Sequence, residues 1–285
     1  MYLPVTDLKW SYVASKIDAY GKVQLVIEFI DQGANLKKIA SGAYDSKLRA
    51  FGKDAAKDGR QIYVRMLHEM NGDWYNWCAF FGDNTVGDFK NAYKHAVTVL
   101  RSTGANIKFQ MSYAANNASK KKTPFKDFYV GDEYVDQVCT SAYNQCGATY
   151  PKNKSLEDVF GDFYTEVQTF TKRPICIAEM SSTGICKGKP AWISATWKSL
   201  ATKFTRVSTI NWFFENKKNL GRDWDLNTKA DIHAFTSGYR LFRKVTGRRL
   251  EAIESGASAE EADALALVEA EAHAAAEEDA LEPLA

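Results

Sequence analysis

The chain has 285 residues, 45% of them hydrophobic and 25% charged, with a formal net charge of +2. That is the composition of a globular protein of one or two domains, and it excludes a mainly disordered chain, a collagen and a membrane bundle. No run approaches the roughly 18 apolar residues of a membrane span, so no membrane partner is expected.

In chain order, residues 1–5 offer a scrap of strand, and residues 7–20 read as a helix. Short apolar runs at 23–30, 62–67, 107–112, 134–143, 174–179 and 207–214 predict six buried strands. Helical spacing occupies 35–57, 88–103, 155–171 and 191–204, and Ser155 with Asp158 gives the third of these a capping-box start. Strands alternating with helices predict a parallel sheet covered by helices, an α/β fold of the (β/α)8 TIM-barrel type. Six strong strands fall short of eight, so the barrel is expected to lack one or two N-terminal strands. Residues 1–250 form the expected catalytic domain. Residues 251–285 hold thirteen Ala, eleven acidic residues and no Lys or Arg. They read as an acidic tail outside the core, helical or disordered.

The small net charge hides a split, because residues 1–250 carry 37 basic and 24 acidic residues. A basic body raises nucleic acid as a partner, but its Lys and Arg are scattered. The one tight run, Lys120–Lys121–Lys122, reads as a solvated loop, so no nucleic-acid partner is expected. Five Cys cannot all pair within the chain, and no CxxC suggests a zinc site. Which of them bridge stays open. No secretory signal is visible.

Two strand ends carry the chemistry. Residues 65–77, RMLHEMNGDWYNW, are an apolar strand ending in His68-Glu69, then a loop with Trp74, Tyr75 and Trp77. Residues 174–184, PICIAEMSSTG, end a second strand in Glu179. In a (β/α) barrel the C-terminal strand ends form the active-site face, so both carboxylates would reach one pocket. A lone His-Glu pair is ordinarily a capped strand end; the pairing of two such carboxylates is what points to glycoside hydrolysis. Tyr143 ends the strand at 134–143 and would either hold a carboxylate by a hydrogen bond or pack in the core. Trp212 on the last strand would either floor a sugar pocket or be a core residue. Strict alternation points His68 away from Glu69, though strand ends break alternation, and His68 stays a candidate.

These residues resemble glycoside hydrolase family 26, the β-mannanase family among the retaining clan A barrels. RMLHEMNGDWYNW carries the resemblance most specifically. FYVGDEYVDQVCTSAYN (128–144), RPICIAEMSSTG (173–184) and INWFFENKKNLGRDWDL (210–226) add to it, over roughly residues 20–245. The resemblance implies Glu69 as general acid/base and Glu179 as nucleophile. It implies substrate contacts from His68, Trp74 and Trp212, and a hydrogen bond from Tyr143 to the nucleophile. It implies no cofactor, and secretion. β-1,4-Mannan is then the expected substrate and mixed-linkage β-1,3-1,4-glucan the alternative, with the protein acting as a monomer. The alternative of another class is a non-catalytic carbohydrate-binding protein with a degenerate barrel. Family members carry the two carboxylates on strands 4 and 7, so strand 1 and most or all of strand 2 have no counterpart here.

Overall fold

The computed structural model describes residues 1–31, 33–117, 123–217 and 222–279, the last nine by backbone alone. The Lys120–Lys121–Lys122 run, residues 218–221 of the last family-like segment and residues 280–285 of the tail lie outside these. The elements are β1 (Tyr2–Pro4), a 3-10 turn (Val5–Asp7), α1 (Trp10–Tyr20), β2 (Gln24–Glu28), α2 (Leu36–Ala40) and α3 (Asp45–Asp58). Next come β3 (Ile62–Met66), α4 (Val86–Arg101), β4 (Ile107–Ala114), α5 (Phe125–Phe128), β5 (Gln137–Asn144) and α6 (Leu156–Phe170). The chain continues through β6 (Ile175–Ser182), α7 (Lys189–Thr202), β7 (Val207–Trp212), a hairpin of β8 (Asn216–Lys217) and β9 (Arg222–Asp223), α8 (Lys229–Glu254) and α9 (Ala259–Asp279).

Seven parallel strands form one sheet in the order β1 to β7. All six predicted strands are present, and the N-terminal scrap is β1, paired with β2 from Tyr2 opposite Val26 to Pro4 opposite Glu28. The described residues therefore supply seven strands of the eight in a full barrel. One predicted helix divides. The 35–57 run is α2 and α3, separated at Gly42, whose φ of +88° breaks the helical path. The expected Ser155 cap forms, with Asp158 N–H donating to Ser155 Oγ and Ser155 N–H donating to Asp158 Oδ2.

The chain divides into two compact units, Met1–Ser141 with Phe163–Ala178, and Ala142–Asp162 with Glu179–Ala285. In the first, β2, β3 and β4 are buried on both faces, as parallel strands under helices are. Their polar side chains satisfy one another. Gln24 donates to Gln110, Gln110 donates to Gln137, and the wholly buried Arg65 donates to Ser141 Oγ at 3.1 Å. Tyr113, Phe125, Phe128 and Phe163 make an aromatic cluster beside them. Cys139 on β5 is bridged to Cys176 on β6, with Cα atoms 4.4 Å apart.

In the second unit α7, α8 and α9 pack together. Gly238 is what lets α8 approach, because a Cβ there would stand 2.5 Å from the Trp197 ring. The helix α8 runs to Glu254, through the compositional boundary at 250/251. Beyond it α9 buries Ala262, Ala266 and Ala270, one per turn, the latter two in a cluster with Ala201, Leu241 and Val245. The acidic segment thus meets the basic face of α8. Arg249 is buried, donating to Asp263 and to the Ala201 carbonyl, and Lys244 pairs with Glu269. This differs from an exposed tail, and the reason is charge and size together: opposite charges flank a strip of side chains small enough for close approach.

Arg249→Ala leaves a buried carbonyl and Asp263 without their donor and is expected to lower the unfolding free energy by about 2 kcal/mol in a denaturant titration. Lys57→Ala, which breaks an exposed pair with Asp54, is expected to change it by less than about 0.5 kcal/mol.

Candidate active site

Glu69 lies just past the end of β3, in a backbone that only a few residues adopt. Leu67 and Glu69 have φ of +50° and +54°, the only non-glycine residues with positive φ among those described. Such left-handed residues cost roughly 1–2 kcal/mol each and cluster at functional sites. From Ile62 opposite Ile107 to Arg65 opposite Gln110, the β3–β4 pairing holds an offset of 45. There the Ile62 amide bonds Asn106, the residue before its partner. The Glu69 amide bonds the Ser112 carbonyl at 2.7 Å, which fits an offset of 44. One extra residue is therefore accommodated between Met66 and Glu69, a bulge of the kind that re-aims side chains. This is the physical reason that plain alternation does not apply to His68 and Glu69.

The loop after the bulge is tied back to it. Gly72 N–H and the Cys78 thiol both donate to the Glu69 carbonyl, at 2.9 and 3.3 Å. Trp77 Nε1 donates to the His68 carbonyl at 2.8 Å. Asn71 is buried and clamps the backbone of one residue of β4 on both sides: its Nδ2 donates to the Ala114 carbonyl and its Oδ1 accepts from the Ala114 amide. Trp74 folds over Gly72, where a Cβ would stand 2.7 Å from its ring, and donates its indole N–H to Glu69 Oε2 at 3.0 Å. Trp74 as a whole is 46% exposed. His68 is buried among Tyr2, Tyr75 and Trp77. His68, Glu69 and Trp74, read from one motif, are thus brought together.

In the second unit, Tyr143 at the end of β5 donates its hydroxyl to Glu179 Oε2 at 2.7 Å. A hydrogen bond to the ionised form of a carboxylate holds both its charge and its direction. Two aromatics that the sequence did not single out stand beside Tyr143. Phe213 meets it edge-on at 6.0 Å, and Trp224 lies 4.7 Å away at a tilt of 40°. Trp224 is buried, and its carbonyl accepts from Ser181 Oγ. Its only signal in the sequence is its place in the last family-like segment.

Trp212 does not join them. Its ring stacks on Trp197 of α7 at 5.4 Å and packs against Trp192 and Phe235, so it faces the helices. The expectation that Trp212 floors the pocket meets a different placement, and the reason is strand alternation: the neighbour Phe213 takes the opposite side. Below this cluster, Asn144 donates to Ser182 and Asn153, and a second disulfide, Cys146–Cys186, joins the segments after β5 and β6. A cavity of about 480 Å³ is lined by residues 184–190, β9 and the start of α8. Lys189 is buried there against the Asp223 and Asp225 carbonyls, and burial lowers its pKa. Among the described residues no three His, Cys, Asp or Glu cluster as a metal site would, and no helix is long and apolar enough to cross a membrane.

The family model for glycosyl hydrolase family 26 matches residues 26–241. Endoglucanase H of Acetivibrio thermocellus is 32% identical over 236 residues, 80% of this chain but 25% of that protein. The chain spans about a quarter of the length of that relative. Among solved structures, a β-mannanase of the same family from Bacteroides ovatus superposes with a TM-score of 0.62 at 15% identity, covering 84% of this chain and 77% of that one. A mannanase from Bacillus subtilis superposes at 0.56 and 17%, covering 81% and 70%. At such identities the likeness is one of fold.

Burial pushes the Cys78 thiol up to about 12, so almost no thiolate exists at neutral pH, and the thiolate is the reactive form. The folded, unreduced protein is expected to take up no iodoacetamide at pH 8, and one equivalent after unfolding. Alkylation of the folded protein at the rate of a free peptide thiol would show that this site is open.

Proposed function

The chain belongs to glycosyl hydrolase family 26, and we propose that it is a retaining endo-β-glycanase that cuts internal bonds of a plant-type polysaccharide. The observation that carries this is the Tyr143 hydroxyl bonded to Glu179, a carboxylate within β6, three residues short of the strand's end, with its orientation fixed as a nucleophile requires.

The reaction is a double displacement. The Glu179 carboxylate attacks the anomeric carbon, and the bond to the leaving-sugar oxygen breaks as that oxygen takes the Glu69 proton. A glycosyl ester on Glu179 results. Water then attacks the same carbon, passes a proton to the Glu69 carboxylate and releases Glu179, so that one water is consumed per bond. Glu69 must begin protonated and Glu179 ionised, which requires unlike surroundings for the two carboxyls. The indole N–H on Glu69 Oε2 fixes which way that group points. His68 and Trp74 are proposed to contact the sugar next to the cleaved bond. Phe213 and Trp224, beside Tyr143, fit the role of pocket wall better than Trp212.

β-1,4-Mannan is the first substrate reading, from the resemblance of residues 65–77 and 173–184 to the family's mannanases. Mixed-linkage β-glucan is the second, favoured by the relative named an endoglucanase at 32% identity. That relative is about four times as long, so its named activity need not sit in the matched quarter. The protein is proposed to act as a monomer outside the cell, a compartment its two disulfides suit.

Reducing-sugar release from soluble β-mannan and mixed-linkage β-glucan, measured in parallel, tests this. The reading predicts release from one polymer, lowered at least about 10³-fold by Glu179→Ala. Tyr143→Phe is expected to lower it roughly tenfold to hundredfold, the worth of one hydrogen bond to a charged group. No release from either polymer by a folded protein would favour a carbohydrate-binding role instead.

A further inference from the structure

We infer that Asn71 and Cys78, neither of which touches substrate in this reading, are positioning residues for the acid/base. The inference rests on the assignment of that role to Glu69. The bulge by itself does not dictate where Glu69 points, since a strand end with one extra residue has several ways to close. Here it is closed from three sides. The Glu69 amide is held by Ser112 of β4. The Glu69 carbonyl is held by the Cys78 thiol and the Gly72 amide. Two residues on, Asn71 occupies both backbone hydrogen-bonding groups of Ala114 and donates a third bond to Asn117.

Asn71 therefore extends the β3–β4 ladder with a side chain after the backbone has left it. Its amide supplies one acceptor and two donors, and all three are used. Cys78 returns the chain to the bulge after the aromatic loop, and Asn84 fastens that return through the Asn76 and Cys78 carbonyls. Both residues are buried; Cys78 grips the Glu69 carbonyl directly, and Asn71 ties the turn after Glu69 to the end of β4. Proton donation demands such placement, because a shift of about 1 Å in a reacting group costs on the order of a hundredfold in rate.

A misplaced acid is felt only where the leaving group needs a proton. Phenolate needs one and 2,4-dinitrophenolate does not. The test compares kcat/KM for phenyl and 2,4-dinitrophenyl glycosides, as both β-mannobiosides and β-cellobiosides. Asn71→Ala strips the buried Ala114 backbone of its side-chain partners and costs stability, so Cys78→Ala and Cys78→Ser are made beside it, with Glu69→Ala as reference. The expected result is a loss of about tenfold or more on the phenyl glycoside for Asn71→Ala and Cys78→Ala. The dinitrophenyl glycoside is expected to stay within about threefold, and Cys78→Ser, which keeps a donor, to recover the phenyl activity. Equal losses on both glycosides, or no loss on either from Cys78→Ala, would overturn the inference while Glu69→Ala still shows the leaving-group dependence. If Glu69→Ala shows none, the acid/base assignment falls, and the inference falls with it.

Discussion

The extra residue between Met66 and Glu69 is the constraint around which the first unit is arranged. It forces Leu67 and Glu69 into left-handed backbone, at a cost of roughly 1–2 kcal/mol each. Hydrogen bonds worth about 1 kcal/mol apiece offset that cost, and they come from several places: Ser112 on β4, Gly72 and Cys78 in the loop, and Trp77 onto the preceding carbonyl. Strain of this kind persists only where the surroundings over-determine it. The outcome is a carboxylate delivered from rigid backbone rather than from a mobile loop, with an indole N–H on one oxygen.

The second unit fixes its carboxylate by a different device. Glu179 stands within β6, so its backbone is regular, and direction comes from the Tyr143 hydroxyl. Tyr143 is in turn flanked by Phe213 and Trp224. Around them, Asn144 and the Cys146–Cys186 bridge tie the segments that follow β5 and β6. In the chain-entropy account, each disulfide, closing a loop of 37 or 40 residues, contributes about 4 kcal/mol against unfolding. The α7–α9 packing supports the same unit from behind, with Trp197 at the meeting of Trp212, Phe235 and Gly238.

What the sequence made legible follows from what hydrophobic pattern encodes. Five of the six apolar runs are buried strands because strands covered on both faces need apolar residues throughout, whereas β7, predicted buried as well, is only half-buried along its length. Glu69, His68 and Trp74 stand in one unbroken motif, so their company was legible without knowing the backbone. The bulge was not, because Leu67 and Glu69 are ordinary residues in a conformation usually marked by glycine. Gly42, by contrast, carried the signal for the break between α2 and α3, but its helical flanks masked it. The roles of Trp212 and Trp224 depend on which way side chains face on β7 and just after β9, and composition is silent on that. The cysteine pairing needed the spatial adjacency of β5 and β6. The small alanines of α9 read as solvent-exposed until the basic face of α8 is placed opposite them.

The central claim is that Glu179 forms a covalent bond to the sugar while Glu69 handles the proton. The most direct measurement is trapping with activated 2-deoxy-2-fluoro β-glycosides of mannobiose and cellobiose, followed by intact mass and peptide mapping. The account predicts inactivation with one fluoroglycosyl group per chain, carried on the peptide that contains Glu179. Turnover of polymer with no adduct, or an adduct on any other residue, would contradict it.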